Sequence, residues 1–129
     1  MANDYSCEEE VKMNEEVRNL ITRRRRQILL HSYVYYELND NLIDDATWSK
    51  WALDLEHLQS IFPEESASAL YYEEFKDFDH STGAGLDYFK SEIIDVAKLL
   101  IKYRGGTIPD TAEDVCKYFW KYFIEEDKK

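Results

Sequence analysis

The stretch HSYVYYELNDNLIDDATWSKWALDLEHLQSIFP, residues 31–63, decides the fold. Its first residues end a long segment of helical periodicity, which predicts a helix over residues 10–38. The polar segment 39–44 breaks that period, because Asn and Asp side chains compete with the helical backbone for hydrogen bonds. A second helix is predicted over residues 45–62 and ends before Pro63, since the residue preceding a proline avoids the helical region. Two helices joined by such a short turn form an antiparallel hairpin.

Both predicted helices carry an apolar face at the helical period. In the first helix this face consists of Val17, Leu20, Ile21, Ile28, His31, Tyr35 and Leu38. In the second helix it consists of Trp48, Trp51, Ala52, Leu55, Leu58 and Phe62. Asp44 or Asp45 can cap the second helix, because a carboxylate accepts hydrogen bonds from the free backbone N–H groups of the first turn.

Two further helices are predicted, over residues 87–103 and 111–125. Gly105-Gly106 ends the first of them, because glycine accepts the left-handed conformation at a helix end. Asp110 and Thr111 are suited to cap the second.

The remaining segments are assigned from their composition. Residues 64–86 form an aromatic and acidic connector, and residues 1–9 are expected to be disordered because they lack periodicity. Two arrangements of the connector stay open: a helical turn, or packing of its aromatic side chains. The first involves Ala67, Leu70 and Tyr71, and the second Tyr71, Tyr72, Phe75 and Phe78. The sequence predicts one all-α domain over residues 1–129, with a hairpin at 10–63 and a helix pair at 87–125.

The composition supports a single folded domain. The chain has 129 residues, of which 44% are hydrophobic and nineteen are aromatic, and this argues against disorder. Four glycines and two prolines are fewer than β-sandwiches and barrels usually carry. A formal net charge of −11 excludes a general nucleic-acid coat, since neutralising phosphates requires the opposite sign.

Several other classes are excluded by what the sequence lacks. Two cysteines, Cys7 and Cys116, suit a reducing compartment, and no cysteine or histidine shows the close spacing of a zinc site. No apolar run approaches the roughly 20 residues that a membrane span needs, and the acidic N-terminal segment is not a signal peptide. We therefore expect a cytoplasmic protein with no metal site and no membrane contact. The oligomeric state stays open.

Charge is distributed unevenly along the chain. Residues 54–95 hold eleven acidic residues against only Lys76 and Lys90, a formal charge of −9. Arg23 to Arg26 form a run of four positive charges, which we expect to pair with neighbouring acidic side chains rather than with nucleic acid. A candidate interaction surface in the acidic segment consists of Glu64, Glu65, Glu73, Glu74, Asp77 and Asp79.

Three runs in the hairpin carry a resemblance to a known family. They are His31-Ser32-Tyr33-Val34-Tyr35-Tyr36-Glu37-Leu38, then Ile43-Asp44-Asp45-Ala46-Thr47-Trp48, then Leu55-Glu56-His57-Leu58 with Phe62-Pro63-Glu64. Over about residues 20–64 they resemble the N-terminal helical subdomain of NAD-dependent DNA ligases. In those ligases this subdomain binds the nicotinamide mononucleotide (NMN) half of NAD. Stand-alone proteins of this type look like products of phage or prophage genomes, which implies the cytoplasm of a bacterial host.

The resemblance implies a nucleotide-binding site at Tyr35, Tyr36, Asp45 and Trp48. A planar, positively charged nicotinamide ring can lie between aromatic faces, and a carboxylate can accept hydrogen bonds from its amide or ribose. The sequence departs from the family at Trp48-Ser49, where a Tyr-Asp pair is expected, and at Asn39, where an Asp is expected. Losing an anion beside a cationic ring should weaken binding by about 1 kcal/mol.

The rest of the ligase is missing from this sequence. None of the lysines is followed by the x-Asp-Gly of the adenylation motif, and 129 residues are too few to add the nucleotidyltransferase domain. No nucleophile and base are arranged as in an enzyme. We therefore predict a non-catalytic binding protein that requires no cofactor and whose ligand is NAD, NMN or a partner protein. The alternative is a phage-type inhibitor of a host enzyme or defence nuclease, with an acidic surface that mimics nucleic acid.

Overall fold

A computed structural model describes residues 4–81, 83, 85–104 and 113–125, with side chains from residue 10 onward. These described residues contain no β-strand, and the predicted all-α class is confirmed. The helices are α1 (Asp4–Glu37), α2 (Asp45–Ile61), α3 (Pro63–Ser68), α4 (Tyr72–Phe75), α5 (Ser91–Arg104) and α6 (Glu113–Phe123).

Helix α1 forms the centre of the bundle. It contacts α2, α3, α5 and α6, and its residues from Gln27 to Val34 are buried without a break. Eight residues make more than two helical turns, so this part of α1 is covered on every side. The prediction of a single apolar face was therefore too narrow. It also placed Tyr35 on that face, whereas the side chain is 57% exposed.

One apolar core joins the helices. Its contribution from α5 has helical spacing, with Ile93, Ala97 and Leu100 all buried. The fully buried side chains from α1 and α2 are Ile21, Ile28, Leu29, Leu30, Val34, Trp51, Ala52 and Leu55. Burial of apolar surface on this scale is the main term that favours folding.

The hairpin turn lies where the sequence predicts it. The helices predicted over residues 10–38 and 45–62 are observed as Asp4–Glu37 and Asp45–Ile61. Of the residues expected to be disordered, 4–9 are helical and 1–3 lie outside the described residues. Asn39 has a φ of 51°, a left-handed conformation that asparagine tolerates better than most residues.

Backbone and side-chain hydrogen bonds hold the turn in place at both ends. The backbone N–H groups of Leu38 and Asp40 both donate to the carbonyl oxygen of Val34 at 3.2 Å, which ends α1. The Asp40 carboxylate accepts from Arg104 Nη2 at 2.7 Å and so joins the turn to the C-terminal end of α5. Asp44 caps α2, because its Oδ1 accepts from the backbone N–H of Thr47 at 2.8 Å.

The connector contains only part of each arrangement that the sequence left open, since Leu70 and Tyr71 lie in the turn between α3 and α4 and not in one helical turn with Ala67. Ala67 lies in the short helix α3, and Phe75 is fully buried with its ring centroid 5.2 Å from that of Phe78. Helix α5 begins at Ser91 rather than at residue 87. Tyr88 is buried instead against Tyr33, so tertiary packing overrides the local helical pattern there.

The predicted C-terminal helix is described from Glu113 to Phe123. The residues predicted to separate and cap the last two helices, Gly105-Gly106, Asp110 and Thr111, lie outside the described residues.

The arginine run does not form a solvated basic cluster. Arg25 is fully buried, and its five N–H donors are all used. Their acceptors are Gln59 Oε1, Ser66 Oγ and the carbonyl oxygens of Ser66, Ala69 and Leu70. The prediction that this arginine pairs with acidic side chains was wrong, because carbonyl groups around the C-terminal end of α3 solvate it. Burial lowers the pKa of Arg25 to about 10, so the side chain stays charged near neutral pH.

Helix α6 is held at its C-terminal end by three side chains of α1 spaced four residues apart. Arg23 Nε and Gln27 Nε2 both donate to the Tyr122 carbonyl oxygen, at 3.2 and 2.9 Å. His31 Nε2 lies 2.8 Å from the Phe123 carbonyl oxygen. The last carbonyls of a helix have no partner within it, so this row of donors satisfies them and fixes α6 on α1.

Candidate functional site

A cavity of about 210 Å³ lies between the end of α1, the turn and the start of α2. The turn places these helix ends side by side, so residues distant in sequence form one wall. The four residues that the ligase resemblance singles out, Tyr35, Tyr36, Asp45 and Trp48, all line this cavity. His31, Ser32 and Ser49 also line it.

Aromatic rings form the outer part of the cavity. Tyr35 and Tyr36 are 57% and 42% exposed, and their ring centroids lie 4.9 Å apart in an edge-to-face arrangement. Tyr36 is in turn parallel to Tyr88, with 6.2 Å between ring centroids. The Tyr88 hydroxyl donates to Glu37 Oε2 at 2.6 Å, which anchors the stack to α1. Trp48 is half-buried on the opposite helix, so the cavity has aromatic groups on two sides.

The inner part of the cavity is polar. His31 is 4% exposed and Ser32 is 1% exposed. Neither His31 Nδ1 nor Ser32 Oγ has a hydrogen-bond partner within the part of the chain that the structure describes. Buried polar groups are nearly always hydrogen-bonded, so two adjacent exceptions in one cavity are unusual.

Gly83 lies against Ser32 and Trp48, two residues that line the cavity. Gly83 is buried, and a Cβ atom added there would overlap Ser32 Oγ and lie 3.3 Å from Trp48 Cζ2. A side chain at this position would therefore displace Gly83 or the Ser32 side chain. At Gly85 an added Cβ atom would meet nothing within 4 Å, so the steric requirement for glycine is specific to position 83.

The two carboxylates at the start of α2 have different surroundings. Asp44 accepts from Thr47, and those hydrogen bonds hold the pKa of the Asp44 carboxyl below its usual range. Asp45 is exposed and lines the cavity in the first turn of α2. Asp45 is therefore available to a ligand, whereas Asp44 is committed to capping the helix.

Sequence reasoning identified the aromatic wall but missed the polar floor. His31 lies four residues before Tyr35, and Ser32 lies four residues before Tyr36, so each pair shares a helix face. That spacing was visible in the sequence. What sequence could not reveal is that His31 and Ser32 have polar atoms left unbonded by the fold.

The candidate acidic surface is only partly available. Its six residues are Glu64, Glu65, Glu73, Glu74, Asp77 and Asp79. Glu73 lies 3.0 Å from Lys76 Nζ, and Glu74 lies 2.7 Å from Lys90 Nζ. Asp79 accepts from the backbone N–H of Ser81 at 2.7 Å. Local partners therefore occupy three of the six carboxylates.

The described residues form an all-α bundle that has a cavity at its hairpin turn. Comparison of the chain with protein-family models, with curated proteins and with solved structures found no match in any of the three. In the part of the chain that the structure describes, no three or more His, Cys, Asp or Glu side chains cluster as metal ligands would. Across the same residues, no helix has both the length and the apolar character required to cross a membrane.

Proposed function

We propose that this protein is a non-catalytic binding protein that holds the nicotinamide end of NAD, or NMN, in the cavity between α1 and α2. The observation that carries the proposal is the convergence of Tyr35, Tyr36, Asp45 and Trp48 on one cavity. Tyr35 and Tyr36 come from α1, and Asp45 and Trp48 come from α2.

The chemistry of the cavity suits a cationic aromatic ring. Aromatic faces attract cations through their quadrupole, and tryptophan does so most strongly. Asp45 adds a carboxylate to the same wall. A nicotinamide ring between Tyr36 and Trp48 would therefore gain from stacking and from a neighbouring negative charge.

The size of the cavity favours one part of the dinucleotide. Its volume of about 210 Å³ lies below the roughly 300–1,000 Å³ of sites that enclose drug-sized ligands. One ring with its substituents fits, and the AMP half of NAD would extend past the exposed Tyr35. We therefore expect NAD and NMN to bind with similar affinity.

Titration calorimetry and tryptophan fluorescence test this function. Ring stacking on Trp48 should quench its emission, and Trp48→Phe should abolish that part of the quenching while Trp51 and Trp120 stay in place. The absence of both heat and chemical-shift changes at millimolar NMN would refute the proposal.

A second candidate is a protein-directed inhibitor whose acidic surface mimics nucleic acid. The exposure of Glu64 and Asp77, in a segment with a formal charge of −9, supports it. The ion pairs of Glu73 and Glu74 weaken it, because they reduce the free negative charge of the same surface. Retention of a basic partner should fall strongly between about 50 and 500 mM salt, since exposed charges are screened. Salt-independent retention would contradict this function.

A further inference from the structure

We propose that the floor of the cavity selects ligands that carry a primary carboxamide, through His31 Nδ1 and Ser32 Oγ. This inference rests on the proposed function and adds a specificity to it. The observation behind it is a pair of adjacent polar side chains that line the cavity, each more than nine-tenths buried. Among the described residues, His31 Nδ1 and Ser32 Oγ have no hydrogen-bond partner.

The fold determines which hydrogen-bonding role His31 can take. Its Nε2 lies 2.8 Å from the Phe123 carbonyl oxygen, which can only accept, so Nε2 must carry the proton. In a neutral imidazole the other nitrogen is then an acceptor. Burial keeps the ring neutral near pH 7, since it lowers the pKa of His31 to about 4. His31 Nδ1 is therefore an acceptor without a partner among the described residues, in a side chain that lines the cavity.

Ser32 has the complementary role. Its hydroxyl can donate or accept, and the Gly83 loop packs against the same side chain. His31 and Ser32 both line the cavity, and the proposal places one planar ligand group between their side chains. The pair thus offers an acceptor beside a hydroxyl that is free to donate.

A primary carboxamide satisfies both groups at once. Its NH₂ donates to His31 Nδ1, and its carbonyl oxygen accepts from the Ser32 hydroxyl. A methyl ketone of the same shape retains the acceptor but has no donor for His31. A carboxylate also lacks that donor and places a negative charge near Asp45. Sites built to hydrogen-bond a ligand group discriminate strongly against analogues that lack it, since the buried partner is left unsatisfied.

The test compares NMN with 3-acetylpyridine mononucleotide, which keeps the charge and ring but replaces the amide by a methyl ketone. We expect the wild-type protein to bind NMN at least about tenfold more tightly by calorimetry. The imidazole nitrogen resonance of His31 Nδ1 should shift with NMN and not with the ketone.

Ser32→Ala isolates the second group. The Ser32 hydroxyl has no partner in the described part of the protein, so its removal should leave the thermal unfolding temperature unchanged or higher. NMN affinity should nevertheless fall by about fivefold or more. Ser60→Ala, on the exposed side of α2, is the matched control and should change neither quantity.

The outcomes separate this inference from the function on which it rests. Equal affinities for NMN and the ketone would overturn the carboxamide preference while leaving a nicotinamide site in place. Unchanged NMN binding by Ser32→Ala would overturn the role of Ser32. Failure of both ligands to bind the wild-type protein would overturn the inference and the proposed function together.

Discussion

Arg25 connects α1 to α3 and to the segment that follows it, and its replacement tests whether a buried guanidinium stabilises this fold. In Arg25→Met the apolar stem keeps much of its volume, but all five hydrogen bonds are lost. Gln59 and Ser66 Oγ can turn to other partners. The Ser66 carbonyl oxygen keeps a bond from the backbone N–H of Ala69 at 3.3 Å, whereas the Ala69 carbonyl oxygen, in the buried backbone, loses its Arg25 donor.

The expected loss follows mainly from the Ala69 carbonyl, with a smaller share from Ser66, whose carbonyl retains one bond. A buried polar group left unsatisfied costs about 1–3 kcal/mol, and the Leu70 carbonyl adds little because that residue is exposed. Relief of the desolvation of Arg25 acts in the opposite direction, and this desolvation is also what lowers its pKa to about 10. We therefore predict a net loss of about 2 kcal/mol in the free energy of unfolding, a substantial fraction of the roughly 5–15 kcal/mol typical of a domain.

Urea unfolding followed by the helical circular dichroism signal measures this quantity. Arg18→Met is the matched control, since Arg18 lies on the same helix outside the buried stretch, and it should change stability by less than about 0.5 kcal/mol. A loss below about 1 kcal/mol in Arg25→Met would refute the reasoning. It would show that the cost of burying the charge cancels its hydrogen bonds.

Three further predictions concern the cavity. Burial lowers the pKa of His31 from 6.5 to about 4, so the unfolded chain binds the proton first as the pH falls. The free energy of unfolding should therefore decrease by about 3 kcal/mol between pH 6.5 and pH 4. His31→Gln should flatten this pH dependence in urea titrations, and an unchanged slope would contradict the assignment. Gly83→Ala should destabilise the protein by about 1–3 kcal/mol through overlap with Ser32, whereas Gly85→Ala should not. In a double-mutant cycle Ser32→Ala should recover part of that loss, and strict additivity would argue against the contact. Ser49→Asp restores the carboxylate expected from the ligase resemblance. In calorimetry at low salt it should tighten NMN binding by about 1 kcal/mol. An unchanged or weaker affinity would count against a cationic ring at this position.

Much of the secondary structure was predictable because its signals are local. Asp44 before an apolar period, Asn39 in the turn and Pro63 after α2 each act through their own backbone geometry, so the hairpin could be located without coordinates. The start of α5 was not predictable in this way. Tyr88 lies within the helix predicted over residues 87–103, yet its ring is buried against Tyr33 on α1, a contact between residues far apart in the chain.

The candidate site was also only partly predictable from the sequence. The resemblance to the ligase subdomain singled out Tyr35, Tyr36, Asp45 and Trp48, and it rests on the residues that flank the short turn. Their meeting in one cavity depends on how α2 packs against α1. His31 and Ser32 were unremarkable in the sequence, because an unsatisfied hydrogen bond is a property of surroundings rather than of residue type.

The amino-acid sequence alone determined that this chain is helical, where its hairpin turns and which residues flank that turn, since helix periodicity and capping are read from neighbours within a few positions. Tertiary structure decided that Arg24 and Arg25 are the buried arginines of the run, which side chains hold α6 and which buried polar atoms beside the cavity stay unbonded. The physical reason is that burial and hydrogen-bond satisfaction arise from contacts between segments distant in sequence, and no local pattern records them.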